Sequence, residues 1–266
     1  MTSRRIMVLA LLATAVSGYL IFFKDRDDFV FLFSISLVVL TVSYVFQYQI
    51  DQLMIRGVAQ RIPVAMRAML MNTAPHFQQL TVQQKLMMED RMARWIMKKE
   101  FISQNKQDAP EDVKFILAYY AILLTLHQKE YLYDNLDRIV FYHHPFLTPA
   151  HEDDVHIYEI ELKDGTIIIS VPHLLKGHLE KGYYNIALHS MADAFRKLYL
   201  KNEIQWPDDI WEILEDISAI SKQKIEDYIG LPIDEPWPVA VHHQFTYSQS
   251  NIPEVVNVLP QSGVGH

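Results

Sequence analysis

The 266-residue chain contains no cysteine. That absence excludes a disulfide scaffold, a thiolate nucleophile, Cys-ligated zinc and iron–sulfur clusters, so any metal has to rest on His and carboxylates. Glycine is scarce, with eight in the chain, and no Gly-rich phosphate loop is present. No serine sits in a nucleophile-elbow pattern. Basic charge is also short: 24 Lys and Arg stand against 32 Asp and Glu, a formal charge of -8. Holding nucleic acid through its phosphates needs the opposite balance, so no nucleic-acid partner is expected.

What charge there is divides unevenly. Up to Pro75 seven Lys and Arg face four Asp, a balance of +3, which leaves -11 for the remaining 191 residues. The basic piece holds two uncharged runs, residues 6–23 and 29–48. As a helix the first is roughly 27 Å long, close to the hydrocarbon thickness of a bilayer. Between them Lys24-Asp25-Arg26-Asp27-Asp28 is too polar for lipid, and its shortness predicts an antiparallel transmembrane hairpin within residues 1–50. Arg4-Arg5 and Ala13-Thr14-Ala15 also fit a cleavable signal peptide, but apolar sequence continues past Ala15 and the second run would hold the chain in the membrane regardless. Arg4 and Arg5 at one end, Arg56, Arg61 and Arg67 at the other and a net acidic loop predict a two-span protein of the inner (cytoplasmic) membrane with both termini in the cytoplasm. Ser17, Gly18 and Ser43 are small enough to admit a close partner helix or simply to face lipid.

Residues 51–75 form a basic, moderately amphipathic connector interrupted by Pro63, read either as a helix on anionic headgroups or as a link whose arginines only set topology. Ala74-Pro75 marks the expected boundary of a domain over 76–250, with a polar tail over 251–266. The domain reads as α+β. Helices are expected over 80–103, capped by Thr81, and over 110–127, 183–200, 207–228 and, more weakly, 238–247. Strands are expected over 138–142 and in a hairpin pairing 156–162 with 166–171 across Lys163-Asp164-Gly165. Glu152-Asp153-Asp154 reads as a solvated loop.

The helix over 183–200 leaves few polar gaps and should be buried. Zinc peptidases place His-Glu-x-x-His on such a helix because residues four apart share one face: both imidazoles reach the metal and the Glu deprotonates its bound water. Here the stretch reads Leu188-His189-Ser190-Met191-Ala192-Asp193. On spacing alone, His189 and Asp193 equally fit a core histidine bonded to a neighbouring carboxylate.

The order of the segments over 77–247 resembles the Mlc titration factor A family of bacterial zinc peptidases. The resemblance runs through Arg94-Trp95, the helix from Asp112, Ile139-Val140-Phe141-Tyr142-His143-His144-Pro145-Phe146, Gly165 to Ser170, Tyr184-Asn185-Ile186-Ala187-Leu188-His189, Asp227-Tyr228 and Val239-Ala240-Val241. It implies a zincin-like metallopeptidase domain of helices and a small mixed sheet, with His189 as the first zinc ligand. It also implies losses: Ser190 stands where the family has its general base, Asp193 where it has the second His, and Trp237 and Gln244 where its late helix carries Glu. A hydroxyl is no substitute for that carboxylate, and an indole has no lone pair for zinc.

The reading that follows is a membrane-anchored pseudo-peptidase with no catalytic residue and no cofactor, binding a protein partner or a membrane complex at the cytoplasmic face. An extended segment would lie along Thr166, Ile167, Ile168, Ile169 and Ser170 as an edge strand. The rival is a zinc-dependent hydrolase whose metal site has been rebuilt from His189, Asp193 and His242 or His243, with Glu235 as base. Twelve histidines make such a coincidence easy.

Overall fold

The structure, a computed structural model, describes residues 2–24, 26–46, 61–104, 109–247 and 250–259. It divides into two compact units, Met1–Ala59 and Gln60–His266.

In the first unit, α1 (Thr2–Lys24) and α2 (Val30–Val45) are joined through a 3₁₀ turn, Asp27–Phe29. The stretches Ile6–Lys24 and Asp27–Val45 have mean hydropathies of 2.3 and 2.1, long and apolar enough to cross a membrane. Small residues are turned inward, with Ala10, Ser17, Ser36 and Ser43 buried, while large ones such as Leu9, Phe22 and Phe31 are exposed. Thr14 Oγ1 lies 2.9 Å from Ser36 Oγ across the hairpin, and Ser17 Oγ donates to the Ala13 carbonyl at 2.6 Å. These hydroxyls are satisfied without water, as hydrocarbon requires. A Cβ on Gly18 would come 3.2 Å from the Phe33 ring. The small residues expected to admit a partner helix or to face lipid are therefore used inside the hairpin.

The second unit opens with α3 (Val64–Thr73), α4 (Pro75–Gln79) and α5 (Val82–Lys98), continues through β1 (Glu100–Ser103) and α6 (Glu111–Thr125), and then runs through β2 (Arg138–Tyr142), β3 (Phe146–Thr148), β4 (His151–His156), β5 (Tyr158–Glu161) and β6 (Thr166–Ser170). It closes with α7 (Val171–Leu179), α8 (Ile186–Tyr199), α9 (Ile210–Ser218), α10 (Lys222–Ile229), α11 (Trp237–Thr246) and α12 (Pro253–Val258). Thr81 caps α5 in a full capping box with Gln84. The main sheet has the order β1-β2-β6-β5, and β3 pairs with β4 in a separate ribbon. β1, β2 and β6 are parallel, and β5 runs antiparallel beside β6 with Tyr158 opposite Ile169 and Glu161 opposite Thr166. Gly165, at φ +62°, supplies the left-handed residue that the hairpin turn requires. Alternation then buries Ile139, Phe141, Ile167 and Ile169 against the helices, each contributing about 1.5–3 kcal/mol.

The expected α+β, zincin-like architecture of helices and small mixed sheets is what the chain adopts. Several local expectations are corrected. The helix expected over 80–103 stops at Lys98, because residues 100–103 extend to pair with β2 and Phe101 stacks on Phe141 at 6.0 Å. The helix expected over 207–228 is two helices: Ala219 adopts a left-handed conformation (φ +58°) and Ser221 caps the second. Glu152, Asp153 and Asp154 lie on β4 rather than in a loop. The connector does not end at Ala74-Pro75 as a link, since Ile62, Leu70 and Ala74 enter the domain core and Arg67 pairs with the buried Glu89. Part of the polar tail is the helix α12, with Ile252, Val255 and Leu259 in the core. Residues 51–60 of the connector and 260–266 of the tail lie outside the described residues, as do the side chains of Arg4 and Arg5.

β6 is also not the edge strand expected. It is flanked by β2 on one side and β5 on the other, so its backbone groups are consumed within the sheet, and β5 forms the open edge.

Because the native chain has no cysteine, the hairpin can be tested directly. The pair Thr14→Cys and Ser36→Cys should form an intramolecular disulfide in membranes under mild oxidation, whereas Leu9→Cys with Ile35→Cys, both exposed, should not. Gel mobility with and without reductant reads the difference.

Candidate functional site

α8 is the element around which the site is built. Asn185 starts it, accepting the Leu188 N–H at 3.0 Å, and its amide donates to Tyr120 Oη at 2.5 Å. Close approach is enforced from α7, where a Cβ on Gly177 would fall 2.5 Å from the Tyr184 carbonyl. His178 on α7 joins Tyr120 at 2.9 Å through Nδ1 and Thr73 at 2.8 Å through Nε2, so one network, buried except at Thr73, links α3, α6, α7 and the start of α8.

A cleft of about 550 Å³ lies between β5, α8 and the segment 229–235; Tyr158, Glu159, Ile160, Glu161, His189 and Asp193 are among the residues that line it. A larger hollow of about 670 Å³ near His76, His127 and Phe245 contains none of the zinc-helix positions.

The structure brings His189 and Asp193 to the cleft and gives each a partner within the protein. His189 Nδ1 lies 2.7 Å from Tyr184 Oη, and the Tyr158 ring meets the imidazole edge-on at 5.4 Å. Burial pushes the His189 pKa down to about 4, with Asp193 acting in the opposite direction, so the ring is neutral at pH 7. The Asp193 carboxylate accepts the Tyr158 hydroxyl and, at 2.7 Å, the Lys197 ammonium. Burial and the adjacent Asp193 charge raise the Tyr158 pKa well above its ordinary value, which keeps that hydroxyl a donor.

The other positions are turned to structural use. Ser190 is fully buried and its hydroxyl donates to the Ala187 carbonyl at 3.0 Å, back into its own helix. Trp237 is fully buried, stacks on Phe195 at 6.1 Å and donates its indole N–H to the Ala192 carbonyl at 3.0 Å. Gln244 ties α11 to the chain before α12, accepting the Ile252 N–H at 2.8 Å and donating to the Ser250 carbonyl at 3.0 Å.

His242, one of the residues offered for a rebuilt metal set, is engaged elsewhere. His242 Nε2 accepts the Asn185 backbone N–H at 3.0 Å, so its proton is on Nδ1, which faces His243 Nδ1 at 3.2 Å. Both nitrogens of His242 are thereby used, and its ring stacks on Tyr184 at 4.0 Å. Glu235, the expected base, is held by Arg196 at 2.8 Å. Among the described residues no group of three or more His, Asp or Glu side chains comes together to hold a metal. Of the residues that the resemblance sets at the family's three ligand positions, His189 and Asp193 carry lone pairs and the Trp237 indole offers none, so the set does not fit a three-ligand zinc site.

Sequence reasoning missed Tyr158, Tyr184, Arg196 and Lys197. The spacing of Lys197 four residues after Asp193 was a readable signal; the tyrosines reach the site through tertiary packing.

Burial also lowers the pKa values of His178 and His243 to about 4, with the Leu214 carbonyl acting against that shift at His243, and lowers that of His242 well below its ordinary range. An unfolded chain binds these protons near pH 6.5 while the folded one does not, so stability is complete above about 6.5 and falls as pH drops toward 4. At pH 5 the loss is on the order of 2 kcal/mol for each such site. Denaturant unfolding of the protein in detergent at pH 7.5 and pH 5 should show the midpoint falling at the lower pH; equal midpoints would contradict these neutral buried rings.

The chain matches the family model of the glucose-regulated metallo-peptidase M90 over residues 52–197. The match spans α3 to most of α8 and stops before α11. Comparisons with curated proteins and with solved structures return no match. More than half of the chain fits that one family model, across the helix that carries His189 and the strands beside it, and the chain belongs to the glucose-regulated metallo-peptidase M90 family.

Proposed function

We propose that this chain is a membrane-anchored member of its family that binds a polypeptide without cleaving it. The observation that carries this reading is the state of Asp193. At the position where a second metal ligand is needed, its carboxylate is tied to Tyr158 on β5 and Lys197 on α8. Ser190 is bonded into its own helix and Trp237 fills the core, so neither offers a ligand to a metal or a base to its water. Losing those groups leaves the cleft itself intact, together with the open edge of β5.

The anchor is the hairpin of α1 and α2, and residues from 61 onward form the binding domain. Positive charge on both flanks, with Asp27 and Asp28 at the turn, supports a topology with the termini and the domain in the cytoplasm. Arg67 contributes to this flank while neutralising Glu89 within the domain.

Full-length protein purified in detergent without a metal-chelating tag should contain well under one zinc per chain by elemental analysis and should leave unstructured peptide substrates intact. Stoichiometric zinc that disappears in His189→Ala, together with peptide cleavage, would overturn the proposal in favour of a working peptidase.

A further inference from the structure

We infer that the open edge of β5 takes up an extended Lys- or Arg-bearing segment of a partner protein, an inference that rests on the binding function proposed above. The backbone argument comes first. The Ser170 N–H donates to the Ile157 carbonyl at 2.8 Å, and Tyr158 stands opposite Ile169. The two-residue alternation of an antiparallel pair then turns the peptide groups of Glu159 and Glu161 toward β6 and those of Tyr158 and Ile160 away from it. β5 ends the sheet, so those outward groups meet the cleft. An added strand would satisfy them, with affinity from the main chain and selectivity from the surrounding side chains.

Charge selects the occupant. Five acids line the cleft, Glu159, Glu161, Asp193, Asp234 and Glu235, against two bases, Arg196 and Lys197. Both bases are already neutralised, Lys197 by Asp193 at 2.7 Å and Arg196 by Glu235 at 2.8 Å. Among the described residues Glu161 accepts only a backbone N–H, from Lys163 at 3.0 Å, and Glu159 has His156 at 3.1 Å. Asp234 has no ion pair among the described residues. Beyond His151, itself on the cleft wall, Glu152, Asp153 and Asp154 stand exposed along β4 and extend the same sign of field. An incoming acidic segment would meet this surplus directly, whereas a basic one is attracted and held in register. Segments flanking the spans of membrane proteins are rich in Lys and Arg on the cytoplasmic side, which makes them the partner chemistry that a domain anchored there would meet.

The test uses full-length protein in detergent and three fluorescent ten-residue peptides of matched apolar content, one with four Lys, one with four Glu and one uncharged, read by anisotropy. The basic peptide should bind roughly tenfold or more tighter than the uncharged one, weakening as salt rises, and the acidic peptide should not bind. Glu161→Lys with Asp234→Lys should remove most of that preference. Ile160→Pro, which deletes an outward N–H and leaves the β6 pairing whole, should remove binding of all peptides with circular dichroism unchanged. If Ile160→Pro does not fold, the charge-reversed protein still decides the matter. Equal binding of basic and uncharged peptides, lost in Ile160→Pro, would overturn the charge selection and leave the binding function standing. Binding of none of the three would overturn both.

Discussion

Asn185 is the point on which the arrangement of the cleft depends. Its side chain caps α8 through the Leu188 N–H, its amide reaches Tyr120 on α6, and its backbone N–H is accepted by His242 on α11. Three helices therefore take their positions from one residue, and His178 carries the same network on to α3 through Thr73. Asn185, Tyr120, His178 and His242 are buried, and burial makes an unmade hydrogen bond costly, so the parts are held in one relative placement. His189 is presented to the cleft, and Ser190 to the interior, because α8 starts where Asn185 starts it.

That placement also sets the surroundings of the positions that the resemblance aligns with the family's zinc site. A zinc site asks several side chains to converge on one point with their lone pairs free. In this chain the corresponding groups have found partners within the protein: Asp193 in Tyr158 and Lys197, Trp237 in the Ala192 carbonyl and the Phe195 ring, Gln244 in the chain leading to α12. The Tyr158–Asp193 bond in particular ties β5 to α8, the two walls, through a hydrogen bond to a carboxylate, stronger than a neutral one.

Much of the local structure was legible. The two uncharged runs, the Thr81 cap, the strand over 138–142 and the Asp-Gly hairpin all follow from short-range rules, and α8 was readable as buried because its polar gaps are so few. The errors fall where a distant partner decided the outcome. Residues 100–103 became a strand because β2 was available to pair with them, and the apparent helix over 207–228 broke where Ala219 could take a left-handed turn before the Ser221 cap. Residues 166–170 look like an edge strand because a hairpin partner is visible on one side only; the parallel neighbour β2 comes from far earlier in the chain.

The sequence by itself determined which donor groups are available: a chain without cysteine, with His189, Ser190, Asp193 and Trp237 at the positions that the resemblance sets around the family's zinc. Residue identity fixes which lone pairs exist, and no fold can restore one that is missing. Only the tertiary structure decided where the remaining groups point and what they touch. It paired Asp193 with Tyr158, used both nitrogens of His242 and moved the open edge from β6 to β5, because hydrogen-bond partners and strand neighbours are chosen by packing across long sequence separations.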